Sequence, residues 1–126
     1  MHKSRLGALV VDCQTDDLYR EGKFWSKALG STPEAQDKLI SDKYIRLYGQ
    51  PGEARVILQK VDHPSRVHFD IETDNIDAEV ERLESLGATI VERKELWVVM
   101  EAPSKQRFCV IGPIRSDFEA NANVWK

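Results

Sequence analysis

Hydrophobic and polar positions in this chain recur with two periods, one that suits helices and one that suits strands. Residues 6–13 form a short apolar run with Val10 and Val11 at its centre, which predicts a buried strand. Thr15, Asp16 and Asp17 then offer N-cap oxygens, and Leu18, Phe24, Trp25, Ala28 and Leu29 make a helical stripe that Gly30 ends. Residues 31–39 carry Pro33 and several charges and read as an irregular strand. Residues 43–48 and 54–61 alternate strictly, and Gly49-Gln50-Pro51-Gly52 between them predicts a hairpin. His63-Pro64-Ser65 breaks the chain.

The same order then repeats. Residues 67–73 predict a strand, and Asp74 is the expected cap of a helix with the stripe Ile76, Val80, Leu83 and Leu86, ended by Gly87. Strands follow at 89–93, 97–101 and 107–111, the last two joined by Ala102-Pro103-Ser104-Lys105. Asp12-Cys13-Gln14-Thr15-Asp16-Asp17-Leu18 is echoed by Asp70-Ile71-Glu72-Thr73-Asp74-Asn75-Ile76, an offset of 70 − 12 = 58 residues in a chain of 126. Leu29-Gly30-Ser31 and Leu86-Gly87-Ala88 echo each other at the helix ends. Two copies point to an internal duplication, because a solenoid needs about three units. The expected fold class is α+β, a single domain of two tandem βαβββ modules. Module one covers about 5–61 and module two about 66–112, followed by a tail at 113–126.

Parity sorts the strand side chains onto two faces. Ile45, Leu47, Val56, Leu58, Phe69, Ile71, Phe108 and Val110 share the face that helices would cover. Tyr44, Arg46, Tyr48, Arg55, Ile57, Gln59, His68, Asp70, Glu72, Arg107, Cys109 and Ile111 share the other. That second face is either a solvated outer surface or the lining of a cavity. Its Tyr, Arg and His content, where a solvated face would favour Lys, Glu and Thr, leans towards the cavity.

Composition narrows the class of partner. The chain is 41% apolar and 31% charged with a net charge of −3, which suits a water-soluble domain and lacks the basic clustering of a nucleic-acid surface. The basic residues at 1–5 are followed by no long apolar stretch and no apolar run reaches membrane-spanning length, so neither a signal peptide nor a membrane span is expected. Cys13 and Cys109 give neither a disulfide framework nor zinc-ligand spacing, so reduced thiols in a cytoplasmic protein are expected.

The doubled βαβββ order, the stretch from His68 to Asn75-Ile76-Asp77 and the phrase Leu86-Gly87-Ala88 resemble the vicinal oxygen chelate superfamily. That group includes glyoxalase I, bleomycin-resistance proteins and extradiol dioxygenases. Trp97-Val98-Val99-Met100, then Ala102-Pro103 and Arg107-Phe108-Cys109-Val110, resemble its small glyoxalase-like branch. The resemblance implies a curved mixed sheet around a cavity, helices on the convex face, and a homodimer. It also implies, in metal-using members, one divalent ion held by His, Gln or Glu at four equivalent strand positions.

Carried over one at a time, those positions fall on His68, Val10, Arg107 and Arg55, the last as the first-half counterpart of Arg107. One of the four is a ligand, because valine has no donor and arginine no acceptor. Asp12, Asp70, Glu72 and Gln59 remain as donors for a rearranged site. No metal and no cofactor are therefore expected. The leading expectation is a metal-independent protein that sequesters an amphipathic or anionic small molecule between Tyr44, Arg46, Tyr48, Arg55, Gln59, His68, Asp70, Glu72 and Arg107. The alternative is an enzyme, a lyase, isomerase or dioxygenase, that uses a non-standard metal site or His68 and Asp70 in acid–base chemistry.

An ion network of Arg55 and Arg107 with Asp12 and Asp70 would account for the same charges without a ligand. Cys109 reads as a small apolar filler, or as a nucleophile if Arg107 lowers its pKa. Phe24, Trp25 and Trp97 read as core, while the place of Trp125 is left open.

Overall fold

The computed structural model describes residues 1–34 and 42–126, so the part of the expected irregular strand at 35–39 lies outside the described residues. The described elements are β1 (His2–Gln14), α1 (Leu18–Leu29), β2 (Thr32–Pro33), β3 (Tyr44–Tyr48), β4 (Arg55–Val61), β5 (Arg66–Thr73), α2 (Ile76–Ser85), β6 (Thr89–Arg93), β7 (Trp97–Glu101), β8 (Arg107–Ile111), α3 (Phe118–Asn121) and β9 (Asn123–Trp125). The class is α+β with mixed strand pairing, and the βαβββ order occurs twice, as the duplication predicts. The chain divides into two compact units, residues 8–67 and residues 1–7 with 68–126.

In the unit of residues 8–67 the strand order is β2-β3-β4-β1. β1 and β4 are parallel, with Ala8 opposite Arg55 and Asp12 opposite Gln59; β3 and β4 are antiparallel, with Ile45 opposite Leu58. Asp17 caps α1 by accepting the Arg20 N–H at 3.2 Å, and Gly30 closes it at φ 68°, a left-handed conformation that favours glycine. Cys13, Leu18, Ile45, Leu47 and Leu58 form the core, with Trp25 and Val56 packed against it.

The buried face of α1 differs from the expected stripe. It is Leu18, Gly22 and Ser26, whereas Phe24 is 60% exposed and Ala28 and Leu29 are also exposed. Small residues at 22 and 26 let the helix settle close to the sheet: a Cβ at Gly22 would lie 3.4 Å from Ile45 Cδ1. That axis leaves positions 24, 28 and 29 off the contact.

In the other unit the corresponding order is β6-β7-β8-β5, again with the first strand, β5, parallel to the last, β8. The strands at 89–93, 97–101 and 107–111 lie where the alternation predicts. Val80, Leu83, Ala88, Val98, Met100, Phe108 and Val110 form the core. Asn75, not Asp74, caps α2, its Oδ1 accepting the Ala78 N–H at 3.0 Å. Asp74 accepts the Lys3 N–H at 2.8 Å instead. Three residues expected in the core are exposed: Phe69 (53%), Leu86 (66%) and Trp97 (38%). Leu86 falls beyond the last turn of α2, and α2 packs chiefly over β6, β7 and β8 rather than over Phe69 on β5.

The tail completes this unit. β9 pairs antiparallel with His2–Ser4, which draws the polar residues ahead of the apolar run into β1. Trp125 donates its indole N–H to Ser4 Oγ at 2.7 Å, and the Arg82 guanidinium lies 3.9 Å from its ring centroid. Beneath them Glu79 is wholly buried, with His2 Nε2 at 2.8 Å and two Arg82 nitrogens at 2.9 and 2.8 Å. Among the described residues, no helix is long and apolar enough to cross a membrane.

Candidate functional site

β5 places His68, Asp70 and Glu72 two residues apart on one side of the strand. The parallel register with β8 sets Cys109 opposite Asp70. His68 and Asp70 are thereby nearly enclosed, their side chains 12% and 13% exposed, with His68 Nε2 3.4 Å from Asp70 Oδ1. One donor atom each from His68, Asp70 and Cys109 lies within 4.8 Å of the other two. The 3.4 Å approach is an ion-pair contact rather than a hydrogen bond: Asp70 Oδ1 is buried and receives no hydrogen bond from the described residues. A buried carboxylate oxygen without a donor is costly to keep.

Glu72, next along the same face, is not part of this group. It is fully buried and met by Arg5 at 3.4 Å and Arg115 at 3.2 Å, with Arg5 also binding Asp117 at 2.7 Å. Gly7 makes room for that carboxylate, since a Cβ there would come within 2.9 Å of Glu72 Oε2. Arg107 on β8 binds Glu101 at 3.2 Å.

In the unit of residues 8–67, Arg46 is gripped by Glu34, at 2.5 Å from Nη2 and 3.1 Å from Nε to the same oxygen. Hydrogen bonding from Arg46, above all, holds the Glu34 carboxyl below the usual carboxylate range, and Arg55 adds to the effect. Tyr44 and Tyr48 are about half exposed (46% and 48%), and Gln59 Nε2 reaches Tyr44 Oη at 3.4 Å. Asp12 pairs with Arg66 at 3.5 Å. The distances pair Asp12 with Arg66, Asp70 with His68, and Arg107 with Glu101.

Register also revises the equivalence drawn between the modules. Asp12 faces Gln59 as Asp70 faces Cys109, so the counterpart of Arg107 is Ile57, two residues along from Arg55. The first-module equivalent of His68, Asp70 and Cys109 is therefore Val10, Asp12 and Gln59. Only one module assembles the three donors. The four-position metal set that the resemblance implies does not fit these residues: Val10 is a buried aliphatic, Ile57 a partly buried one, and Arg107 a cation already paired.

The thiols differ. Burial above all, with Glu21 and Asp12 adding, pushes the Cys13 thiol up to about 11, so it stays protonated and unreactive at neutral pH. Cys109 is the partner that sequence reasoning undervalued. Its parity was legible, but the β5–β8 register that brings it to Asp70 was not.

No curated protein matches the sequence. Solved structures show the same fold at low identity. A hypothetical protein from Bacillus halodurans superposes with a TM-score of 0.61 at 10% identity, covering 90% of this chain and 96% of its own. A protein described as an NAD-dependent benzaldehyde dehydrogenase from Legionella pneumophila gives 0.58 at 12% identity, covering 84% and 99%. Methylmalonyl-CoA epimerase from Mycobacterium tuberculosis gives 0.57 at 14% identity, covering 87% and 88%. Residues 8–111, most of the chain and nearly all of both modules, match the glyoxalase-like domain, and the chain belongs to that family of the vicinal oxygen chelate superfamily.

Proposed function

We propose that this glyoxalase-like protein is an enzyme acting on a small oxygen-bearing molecule, with His68, Asp70 and Cys109 as its working centre. The observation that carries the reading is the approach of His68 to a buried Asp70 oxygen that receives no hydrogen bond, with Cys109 beside both. An imidazole beside a carboxylate in a nearly enclosed position suits the movement of a proton, and a positioned acid or base is worth about 10²–10⁴ in rate. Asp70 Oδ1 lies 3.4 Å from the ring nitrogen, beside the position a transferred proton would occupy.

Sequestration without turnover, the reading first suggested by the arginine-rich face, draws on the half-exposed Tyr44 and Tyr48. It loses ground because Arg46 and Arg107 are engaged by Glu34 and Glu101 and do not offer open forks to an anionic ligand.

Deuterium exchange separates the two. Chelator-treated protein in D2O is mixed with 2-oxo acids, 2-hydroxy aldehydes and acyl thioesters, and loss of the proton next to the carbonyl is followed by NMR. A ligand that binds saturably should exchange that proton, at least about 100-fold more slowly with His68→Gln. Saturable binding with no exchange, both in the metal-free protein and after zinc is added back, would return the protein to the sequestering class.

A further inference from the structure

We propose that His68, Asp70 and Cys109 form a binding site for a thiophilic divalent cation of the zinc class. The proposal rests on the reading of these residues as the working centre, and it departs from the family's ligand set. All three donors come from two adjacent strands of one module. The thiolate and the carboxylate are not at the strand positions that the resemblance assigns to metal.

Geometry and donor chemistry both support it. Bonds of about 2.0–2.3 Å in a tetrahedral zinc site place donor atoms roughly 3.4–3.8 Å apart. The His68–Asp70 separation is already 3.4 Å, and a small side-chain rotation brings Cys109 in from within 4.8 Å. The register that pairs Asp70 with Cys109 across parallel β5 and β8 holds the donors on backbone that ordinary fluctuation does not separate. Asp70 Oδ1 is buried and receives no hydrogen bond from the described residues, with His68 Nε2 at 3.4 Å as its ion-pair contact, and a cation between the two would satisfy it.

Imidazole, carboxylate and thiolate together select zinc or cobalt(II) over magnesium or calcium, which take oxygen ligands. Three protein ligands leave a fourth position for water or a substrate oxygen, the pattern of a catalytic rather than a structural site. When bound, such a cation would occupy the His68 nitrogen that moves the proton in the metal-free protein, and would supply Lewis acidity at that oxygen in its place. Binding ionises Cys109: the sulfur–hydrogen bond breaks, the sulfur–metal bond forms, and the proton leaves to solvent.

The test is titration of chelator-stripped protein with cobalt(II), read by thiolate-to-cobalt charge-transfer absorption and by proton release in weak buffer. The expected result is one cobalt per chain, about one proton released, and a band that zinc displaces. Cys13→Ala should keep the band. Cys109→Ser should lose it, and His68→Ala and Asp70→Asn should weaken binding by at least about tenfold. A titration with no stoichiometric uptake, or a band that survives Cys109→Ser, overturns the site. Because deuterium exchange is measured on metal-free protein, loss of cobalt binding with exchange intact removes the cation site alone. Loss of both removes the working centre as well.

Discussion

A single absent methyl group organises the most heavily charged buried spot in the chain. Glu72 has no exposed surface, and its carboxylate lies between Arg5 and Arg115 because Gly7 presents only a hydrogen to it. In Gly7→Ala the new Cβ would sit 2.9 Å from Glu72 Oε2 and 3.1 Å from both Cβ and Cγ of the same residue. The glutamate cannot swing aside without leaving its arginines, so overpacking should cost about 1–3 kcal/mol. Urea unfolding of Gly7→Ala against the parent measures it. A variant as stable as the parent would mean that this carboxylate moves freely, which its pairing argues against. The residue scale also explains why Glu72 read as a ligand contact. Parity placed it correctly beside His68 and Asp70, but Arg5 and Arg115 are 67 and 43 residues away in sequence and leave no local trace.

Elements were legible where local pattern alone decides them and obscure where distant chain does. β6, β7 and β8 fall where alternation placed them, because period-two patterning and a Pro-containing turn are local signals. The first four residues of β1 are polar and become strand by pairing with β9 and by the Lys3 main chain meeting Asp74 and Thr73. The face of α1 escaped notice because Gly22 and Ser26 are buried for their smallness, while the large apolar residues at 24 and 29 are not. The cap of α2 was misplaced by one position, since Asp74 and Asn75 are both capping types and only geometry separates them. Asp17 and Asn75, 58 residues apart, are the two true caps, so the repeat itself held the answer. Asn75→Ala should therefore cost about 1 kcal/mol by removing the acceptor for the Ala78 N–H. Asp74→Ala should leave α2 intact and instead speed amide exchange at Lys3. Hydrogen exchange at residues 3 and 78 in the two variants distinguishes these outcomes; protection lost at Ala78 in Asp74→Ala would reverse the assignment.

For the molecule as a whole, carboxylates held below their ordinary pKa set the response to acid. Glu34 is held there chiefly by Arg46. Asp117, at the surface, is held there chiefly by Arg5. Glu79 is opposed by its own burial, yet hydrogen bonds from Arg82, His2 and Ser4 outweigh that and leave it lowered as well. A carboxyl that is more acidic in the folded chain binds fewer protons there than when unfolded, so stability rises with pH through this range. The contribution is fully present above the ordinary glutamate value of 4.5 and drains away as the pH falls through the lower folded-state values. Glu79 should dominate, because it is wholly buried and serves three partners, whereas Arg46 beside Glu34 is more than a third exposed and that pair is partly screened. Glu79→Gln keeps the shape but removes the charge that satisfies Arg82, and should cost about 2 kcal/mol or more near pH 7. Unfolding free energies measured between pH 3 and 7 should rise steeply for the parent and more gently for Glu79→Gln, the two curves drawing together at the acid end. Parallel curves would mean that Glu79 keeps an ordinary pKa despite its partners, and that acid sensitivity arises elsewhere in the chain.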